Sequence, residues 1–205
     1  RITKLSFGVI NQDREMLLFP LLAGVFSLLF AGALLFPTVV ADAVEGQTQQ
    51  ALGAGEYILL AITYFVLAFV ATFFNVCVVY TAKTRFEGGD ATFMDSLRFA
   101  MSRIQLIAAW SIVAATVGLL LRAIEGLAEQ AGGPGQIIAS ILHSLLAIAW
   151  SVTTLFVVPA MVFHELGPMD AIKRSMETLK RTWGESLVRH FGLGIMQFAF
   201  MLLVV

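Results

Sequence analysis

The chain has 205 residues, of which 59% are hydrophobic and only 13% are charged. Soluble domains are typically about 45–50% apolar and about 25% charged, and a fold of this length cannot hide so much apolar surface from water. The composition therefore excludes an ordinary soluble domain and predicts a membrane protein. The net charge of −1 gives no indication of a nucleic-acid partner.

Five apolar segments are long enough, or nearly so, to cross a bilayer, which takes about 20 helical residues. The segments are continuous and do not alternate with a period of two residues, which favours helices over strands. The predicted fold is an all-α polytopic transmembrane helix bundle, with residues 1–205 forming one membrane domain. The predicted spans are about 17–40, 57–82, 104–121, 137–163 and 187–205.

Basic residues are distributed unequally between the two sets of loops. Of the thirteen lysines and arginines, all except Arg122 lie on the side of the N-terminus and of the loops 83–103 and 164–186. Cytoplasmic loops are enriched in Lys and Arg. The distribution therefore predicts a multi-pass protein of the prokaryotic cytoplasmic (inner) membrane, with its N-terminus in the cytoplasm.

Two blocks on the predicted cytoplasmic side resemble each other. Residues 94–104 read MDSLRFAMSRI and residues 169–179 read MDAIKRSMETL. Each block has apolar residues at helical spacing on one face and charges on the other, but is too short and too charged to span. We expect both, and a weaker third copy at the N-terminus, to lie in the membrane interface. The predicted interfacial helices are about 2–13, 91–103 and 168–182.

These blocks indicate an internal repeat, in which each unit has one interfacial helix followed by two spans. Three such units require a sixth span, and the last apolar segment stops at Val205 without a polar flank. We therefore expect the native chain to continue into a sixth helix. Within the blocks, Asp90 is the expected N-cap of the first helix, and Pro168 is expected in the first turn of the second.

Several short motifs carry a resemblance to a known family. They are LLFPLLAG at residues 17–24, FVVP at 156–159, AIKRS at 171–175 and KRTWGE at 180–185. With these motifs the chain resembles an uncharacterised family of prokaryotic six-helix membrane proteins, which is similar to the membrane domain fused to some glycerophosphodiester phosphodiesterases. The resemblance covers nearly the whole chain. It implies the fold and the sixth helix, and it implies no activity.

The sequence contains no metal-ligand cluster, nucleophile motif or phosphate loop. We therefore predict no catalytic residue, no metal site and no enzymatic activity. His143 is the deepest ionisable residue in the predicted spans, and such residues are functional candidates by default. It is either an axial ligand for a chlorin or haem, a proton-relay group, or a neutral imidazole bonded to a neighbouring helix. The last alternative needs no cofactor.

Other residues are candidates for helix packing and lipid contact. Pro159 is expected to kink the fourth span near its cytoplasmic end. Small residues at helix-packing spacing predict close helix contacts, and they are Ala23, Ser27, Ala31, Ala114, Gly118, Gly192 and Gly194. Basic residues of the interfacial helices either bind anionic lipid head groups or serve topology alone, and they are Arg98, Arg103, Lys173, Arg174, Lys180 and Arg181.

Three functions are compatible with this pattern. The first is a non-enzymatic scaffold or accessory subunit of a larger membrane assembly, whose partners are membrane lipids and other membrane subunits. The second is a transporter or permease-like module for a small or lipid-like substrate, which the repeat and the proline favour. The third is a cofactor-bearing subunit that uses His143 as an axial ligand.

Overall fold

The computed structural model describes residues 14–45, 54–131, 133–182 and 184, which are helical apart from short turns and connections. This confirms the predicted all-α bundle. The predicted interfacial helix 2–13 and the predicted span 187–205 lie outside the described residues. After one turn of 3₁₀ helix at Arg14–Leu17, the helices are α1 (Leu18–Glu45), α2 (Ala54–Phe86), α3 (Phe93–Ser102), α4 (Ile104–Ala131), α5 (Gly133–Thr154), α6 (Val157–His164) and α7 (residues 168–182).

Four segments of the described chain are long and apolar enough to cross a membrane. They are Glu15–Phe36, Gly55–Phe86, Ile104–Leu127 and Gly135–His164. Hydroxyl groups within these segments donate to the carbonyl one turn earlier in their own helix, as in Thr63 to Leu59 at 2.8 Å. A polar group in hydrocarbon needs such an internal partner, so these hydroxyls do not disqualify the segments as spans.

The long helices pack in chain order, α1 on α2, α2 on α4, and α4 on α5. An aromatic stack between Phe19 and Phe93, with ring centroids 4.8 Å apart, joins α1 to α3. A second stack joins α4 to α5 through Trp110 and Trp150, at 5.9 Å. The main buried cluster consists of Phe19, Val70, Phe74, Val76, Cys77, Ala100, Ile107, Val158 and Val162.

The candidate packing residues occupy different environments. A Cβ atom on Gly118 would lie 2.8 Å from the ring of Tyr64, so glycine permits the close approach of α4 to α2. Ala23 packs against the main buried cluster, and Ala114 packs beside Trp110. Ser27 and Ala31 are half-buried on α1. Gly192 and Gly194 lie outside the described residues.

The predicted fourth span, 137–163, is two helices and not one kinked helix. α5 ends at Thr154, a turn follows at Leu155 and Phe156, and α6 begins at Val157. The interruption precedes Pro159 because proline cannot donate to the carbonyl of Leu155, and its ring clashes with that carbonyl. The chain therefore leaves the helix just before the proline, which lies in the first turn of α6.

The two segments that are predicted to be interfacial and that the structure describes begin as helices near the expected residues. Thr92, and not Asp90, is the N-cap of α3, because its hydroxyl accepts from the backbone N–H of Asp95. Asp90 instead forms an ion pair with Arg85, at 2.6 Å. In α7, Pro168 lies in the first turn and the backbone N–H of Ala171 donates to the carbonyl of Gly167, at 2.8 Å.

Candidate functional site

One end of the bundle gathers most of the charged residues, and we call it the basic end. Here the last turns of α2 and α6 meet the first turn of α4, with α3 and α7 packed beside them. The ammonium of Lys83 lies 5.1 Å from the centre of the Phe163 ring, which joins α2 to α6. The basic residues at this end include Lys83, Arg85, Arg98, Arg103, Lys173 and Arg174.

Helix α3 is fixed to α2 by a buried hydroxyl pair. The hydroxyls of Thr81 and Ser96 lie 2.7 Å apart, and Ser96 is fully buried. One turn later Ala100 is also fully buried. Between them, the ring of Phe99 stacks on Tyr80 with centroids 4.2 Å apart. These contacts hold the apolar face of α3 against the spans and leave its charged face exposed.

A capping box starts α3 and affects the ionisation of Asp95. The Asp95 carboxylate accepts from the hydroxyl of Thr92 at 2.6 Å and from its backbone N–H at 3.2 Å. These hydrogen bonds, with a smaller contribution from the charge of Arg98, hold the pKa of Asp95 below its ordinary value of 3.8. The carboxylate is therefore ionised at neutral pH and stabilises the first turn of α3.

Helix α7 is fixed at the interruption between α5 and α6 by Ser175. Its hydroxyl accepts from the backbone N–H of Phe156 at 3.1 Å and donates to the carbonyl of Thr153 at 2.5 Å. Ser175 is fully buried. The interruption frees these two backbone groups, and one side chain binds both of them. We call this arrangement the Ser175 bridge.

Arg103 joins the C-terminal end of α3 to the connection between α6 and α7. Its guanidinium forms an ion pair with Glu165, in the connection between α6 and α7, and lies 5.5 Å from the centre of the Phe99 ring. Glu165 has a positive φ of 55°, which is uncommon for a residue with a side chain. Arg103 is thus engaged within the bundle, whereas Arg98 is largely exposed.

A groove opens between α6 and α7 at the basic end, and we call it the α6–α7 groove. Its volume is about 200 Å³, room for a phosphate-sized group with a few waters at about 30 Å³ per water. Its polar lining residues are Arg174, His164 and Thr178. The apolar wall consists of Phe156, Pro159, Ala160 and Phe163.

Only part of the predicted basic set lines this groove. Arg174 does, whereas Lys173 forms an ion pair with Asp170 at 3.4 Å on the exposed side of α7. Lys180 and Arg181 are exposed at the end of that helix. Sequence reasoning missed His164 and Ser175, although both lie between the FVVP and KRTWGE motifs. A serine on the apolar face of a predicted amphipathic helix was the available signal for Ser175.

A second groove, between α1, α2 and the α3–α4 junction, is wholly apolar. Its volume is about 230 Å³. None of its described lining residues is charged or carries an O–H or N–H side chain, so these residues can contact a hydrocarbon chain but provide no polar anchor for a ligand. Its lining residues are Phe26, Phe30, Phe69, Val70, Phe73, Phe74, Met101 and Ile104.

His143 lies on α5, half-buried, among exposed leucines and isoleucines. Within the described ranges there is no group of three or more His, Cys, Asp or Glu side chains that could hold a metal ion. His143 lies well before Thr154, the residue at which α5 ends near the basic end. His143 and the α6–α7 groove are therefore separate candidates.

Comparison with known proteins gives one result. Residues 54–205, which cover most of the chain, match a family of unknown function designated DUF6159. No curated protein and no solved structure matches the chain.

Proposed function

The chain belongs to DUF6159, a family of unknown function, and we propose that it is a non-enzymatic integral membrane protein. In this proposal it acts as a scaffold or accessory subunit of a larger membrane assembly, through contacts of its helices with lipids and other subunits. It lies in the cytoplasmic membrane of a prokaryote, with the basic end in the cytoplasm.

The exposed surface of α5 is the observation that carries the proposal. Among the described helices α5 packs chiefly on α4. Its other faces present a row of large apolar side chains that are 41–69% exposed, namely Ile137, Ile138, Ile141, Leu142, Leu145, Leu146, Ile148 and Val152. A helix that is apolar all round is surrounded either by lipid or by other helices. In this proposal the exposed surface of α5 is where another subunit docks.

A matched pair of variants tests this docking. Leu145→Trp keeps the α5 surface apolar, so lipid accepts it, but the added bulk prevents a neighbouring helix from packing closely. Leu28→Trp makes the same change on α1, where Leu28 is 77% exposed. We expect a membrane protein to co-purify with the chain in constant ratio, and its recovery to fall with Leu145→Trp but not with Leu28→Trp. A wild-type chain that purifies alone as a monomer in mild detergent contradicts the proposal.

The internal repeat is part of the same proposal, and two pairs of aligned positions support it. Ser96 aligns with Ala171 and Ala100 with Ser175, and all four side chains are fully buried. In both helices the aligned positions face the spans and carry small residues. The similarity to the membrane domain fused to some glycerophosphodiester phosphodiesterases also remains a prediction.

A transporter is the second candidate, because the segment Gly135–His164 is interrupted at Leu155 and Phe156. Interrupted helices form substrate sites in many transporters, where freed backbone groups bind the substrate. Here Ser175 already occupies two of those groups, which favours a structural role for the interruption. Flux of a small or lipid-like solute into proteoliposomes, absent from liposomes without the protein, would support transport. Absence of flux for every solute tested would contradict it.

A further inference from the structure

The α6–α7 groove combines positive charge with an apolar wall. Arg174 and His164 line it; a guanidinium carries N–H donors, and an imidazole donates one N–H even when it is neutral. The ammonium of Lys83 lies over the ring of Phe163, which is one of the lining residues. The groove therefore favours a ligand that is anionic at one end and apolar along its side.

Arg174 has binding capacity left for such a ligand. Among the described residues its partner is Glu177, one turn later, at 3.4 Å. That contact is long and involves one N–H, whereas a guanidinium has five. The hydroxyl of Thr178 is different, because it already donates to the carbonyl of Arg174 at 2.8 Å. Thr178 therefore has no hydroxyl hydrogen left to donate to a ligand, and Arg174 is the main donor.

The described acidic residues near the groove have other partners or are exposed. Glu165 is paired with Arg103, and Asp170 with Lys173. Glu177, which is 64% exposed, can turn into solvent when an anion binds Arg174. A phosphate presents two oxygens in the spacing that a guanidinium binds through parallel N–H groups, which a single long contact to a carboxylate does not match.

The apolar wall continues onto the exposed surface of the helix. Phe163, which lines the groove, is 46% exposed, and Leu155 beside Phe156 is 57% exposed. A free phosphate ion gains nothing from these side chains, whereas a lipid buries its glycerol and the start of its acyl chains against them.

We infer that the α6–α7 groove binds the phosphate of an anionic phospholipid, with Arg174 and His164 on the phosphate and Phe163 against the acyl chain. This inference rests on the proposed function, since it assumes a membrane protein that acts through lipid contacts. It assigns those contacts to one groove. The other exposed basic residues of α3 and α7 interact with the membrane surface only through unspecific attraction.

The test is a lipid titration of the purified full chain in mild detergent. The midpoint temperature of unfolding is followed while phosphatidylglycerol, zwitterionic phosphatidylcholine or inorganic phosphate is added. Because a ligand that binds the folded state raises this temperature, we expect phosphatidylglycerol to raise it at concentrations where the other two have no effect. Equal stabilisation by inorganic phosphate would assign the groove to a free anion, and equal stabilisation by phosphatidylcholine would remove the role of charge. Either result overturns the inference.

Matched variants locate the site. Arg174→Gln should weaken the apparent affinity for phosphatidylglycerol about tenfold, as expected for loss of a bidentate, charge-assisted contact at a partly exposed site. Arg174→Lys should be intermediate, because an ammonium keeps the charge but not the planar fork. Lys173→Gln removes the same charge from the adjacent residue, outside the groove, and should leave the affinity unchanged. An equal loss of affinity for phosphatidylglycerol in Lys173→Gln and in Arg174→Gln would overturn the inference.

This experiment separates the lipid site from the proposed scaffold. Arg174→Gln should not change co-purification of a partner through α5, and Leu145→Trp should not change the lipid titration. If the partner is lost only in Leu145→Trp while no variant affects the lipid titration, lipid binding in the α6–α7 groove is refuted and the scaffold proposal is supported. If the lipid titration gives the expected result and no partner co-purifies, the scaffold proposal is refuted and lipid binding in the α6–α7 groove is supported.

Discussion

The Ser175 bridge predicts that Ser175→Ala destabilises the bundle more than other hydroxyl deletions do. Among the described residues, Ser175 is the side chain that pairs with the N–H of Phe156 and the carbonyl of Thr153, and the substitution removes both hydrogen bonds. Ser175 is fully buried, so water does not readily replace it. A buried polar group left without its partner costs about 1–3 kcal/mol, and we expect a loss of unfolding free energy of about that size.

Ser111→Ala is the matched control. Ser111 is also fully buried, but its hydroxyl donates to the carbonyl of Ile107 in its own helix, at 2.7 Å. That carbonyl already lies within the helical hydrogen-bond pattern, so deletion of the hydroxyl leaves no backbone group unpaired. The free energy of unfolding of Ser111→Ala should be lower than that of wild type by well under about 1 kcal/mol. Individual hydrogen bonds between membrane helices contribute about 0.6 kcal/mol on average.

The assay is reversible unfolding in mixed micelles of mild detergent and SDS. Tryptophan fluorescence reports it, because Trp110 and Trp150 stack across α4 and α5. The free energy of unfolding is compared for wild type, Ser175→Ala and Ser111→Ala. If Ser175→Ala costs no more than Ser111→Ala, the interruption does not depend on the bridge, and the reasoning from freed backbone groups is refuted.

Three further predictions follow from local contacts. Gly118→Ala should leave the bundle about 1–3 kcal/mol less stable than Gly126→Ala. A Cβ atom at residue 118 would lie 2.8 Å from the Tyr64 ring, whereas a Cβ atom at residue 126 would meet nothing within 4 Å. Equal stabilities of the two variants in the same unfolding assay would contradict this. Asp95→Ala should lower the free energy of unfolding at neutral pH. The difference from wild type should shrink as the pH falls below 3.8 and through the lowered pKa of Asp95, because this carboxyl group gives its charge-dependent stabilisation only while it is ionised. A difference that is as large in acid as at neutral pH would contradict this. Purified protein should show no visible absorption band, and a band lost in His143→Ala would instead establish a bound cofactor.

Composition and hydrophobic segments were sufficient to predict the helical bundle. Leu18–Glu45 and Ala54–Phe86 are helices because their apolar runs are continuous, and the bilayer requires helices of such runs. Pro159 predicts a kink in the fourth span, and the structure has two helices there, which are separated at Leu155 and Phe156. The ring of Pro159 clashes with the turn that precedes it. For this reason the helix ends earlier, at Thr154, and not at the proline itself.

The candidate site was less accessible to sequence reasoning because it depends on tertiary contacts. Arg98 and Arg103 appear equivalent in the sequence, and only packing shows that Arg103 pairs with Glu165. Ser175 has no local partner, since the groups it binds are about twenty residues earlier in the chain. His164 joins Arg174 in one groove only because α7 packs beside α6. None of these pairings has a periodicity that a sequence pattern could reveal.

Membrane insertion with the basic end in the cytoplasm is the claim on which every proposal above depends. Labelling of introduced cysteines by a membrane-impermeant maleimide in intact cells tests it directly, and wild type supplies the background because Cys77 is buried. Arg122→Cys lies at the opposite end and should be labelled in intact cells, whereas Arg98→Cys should be labelled only after the membrane is permeabilised. Labelling of Arg98→Cys in intact cells, or the same labelling of both variants, would contradict the account.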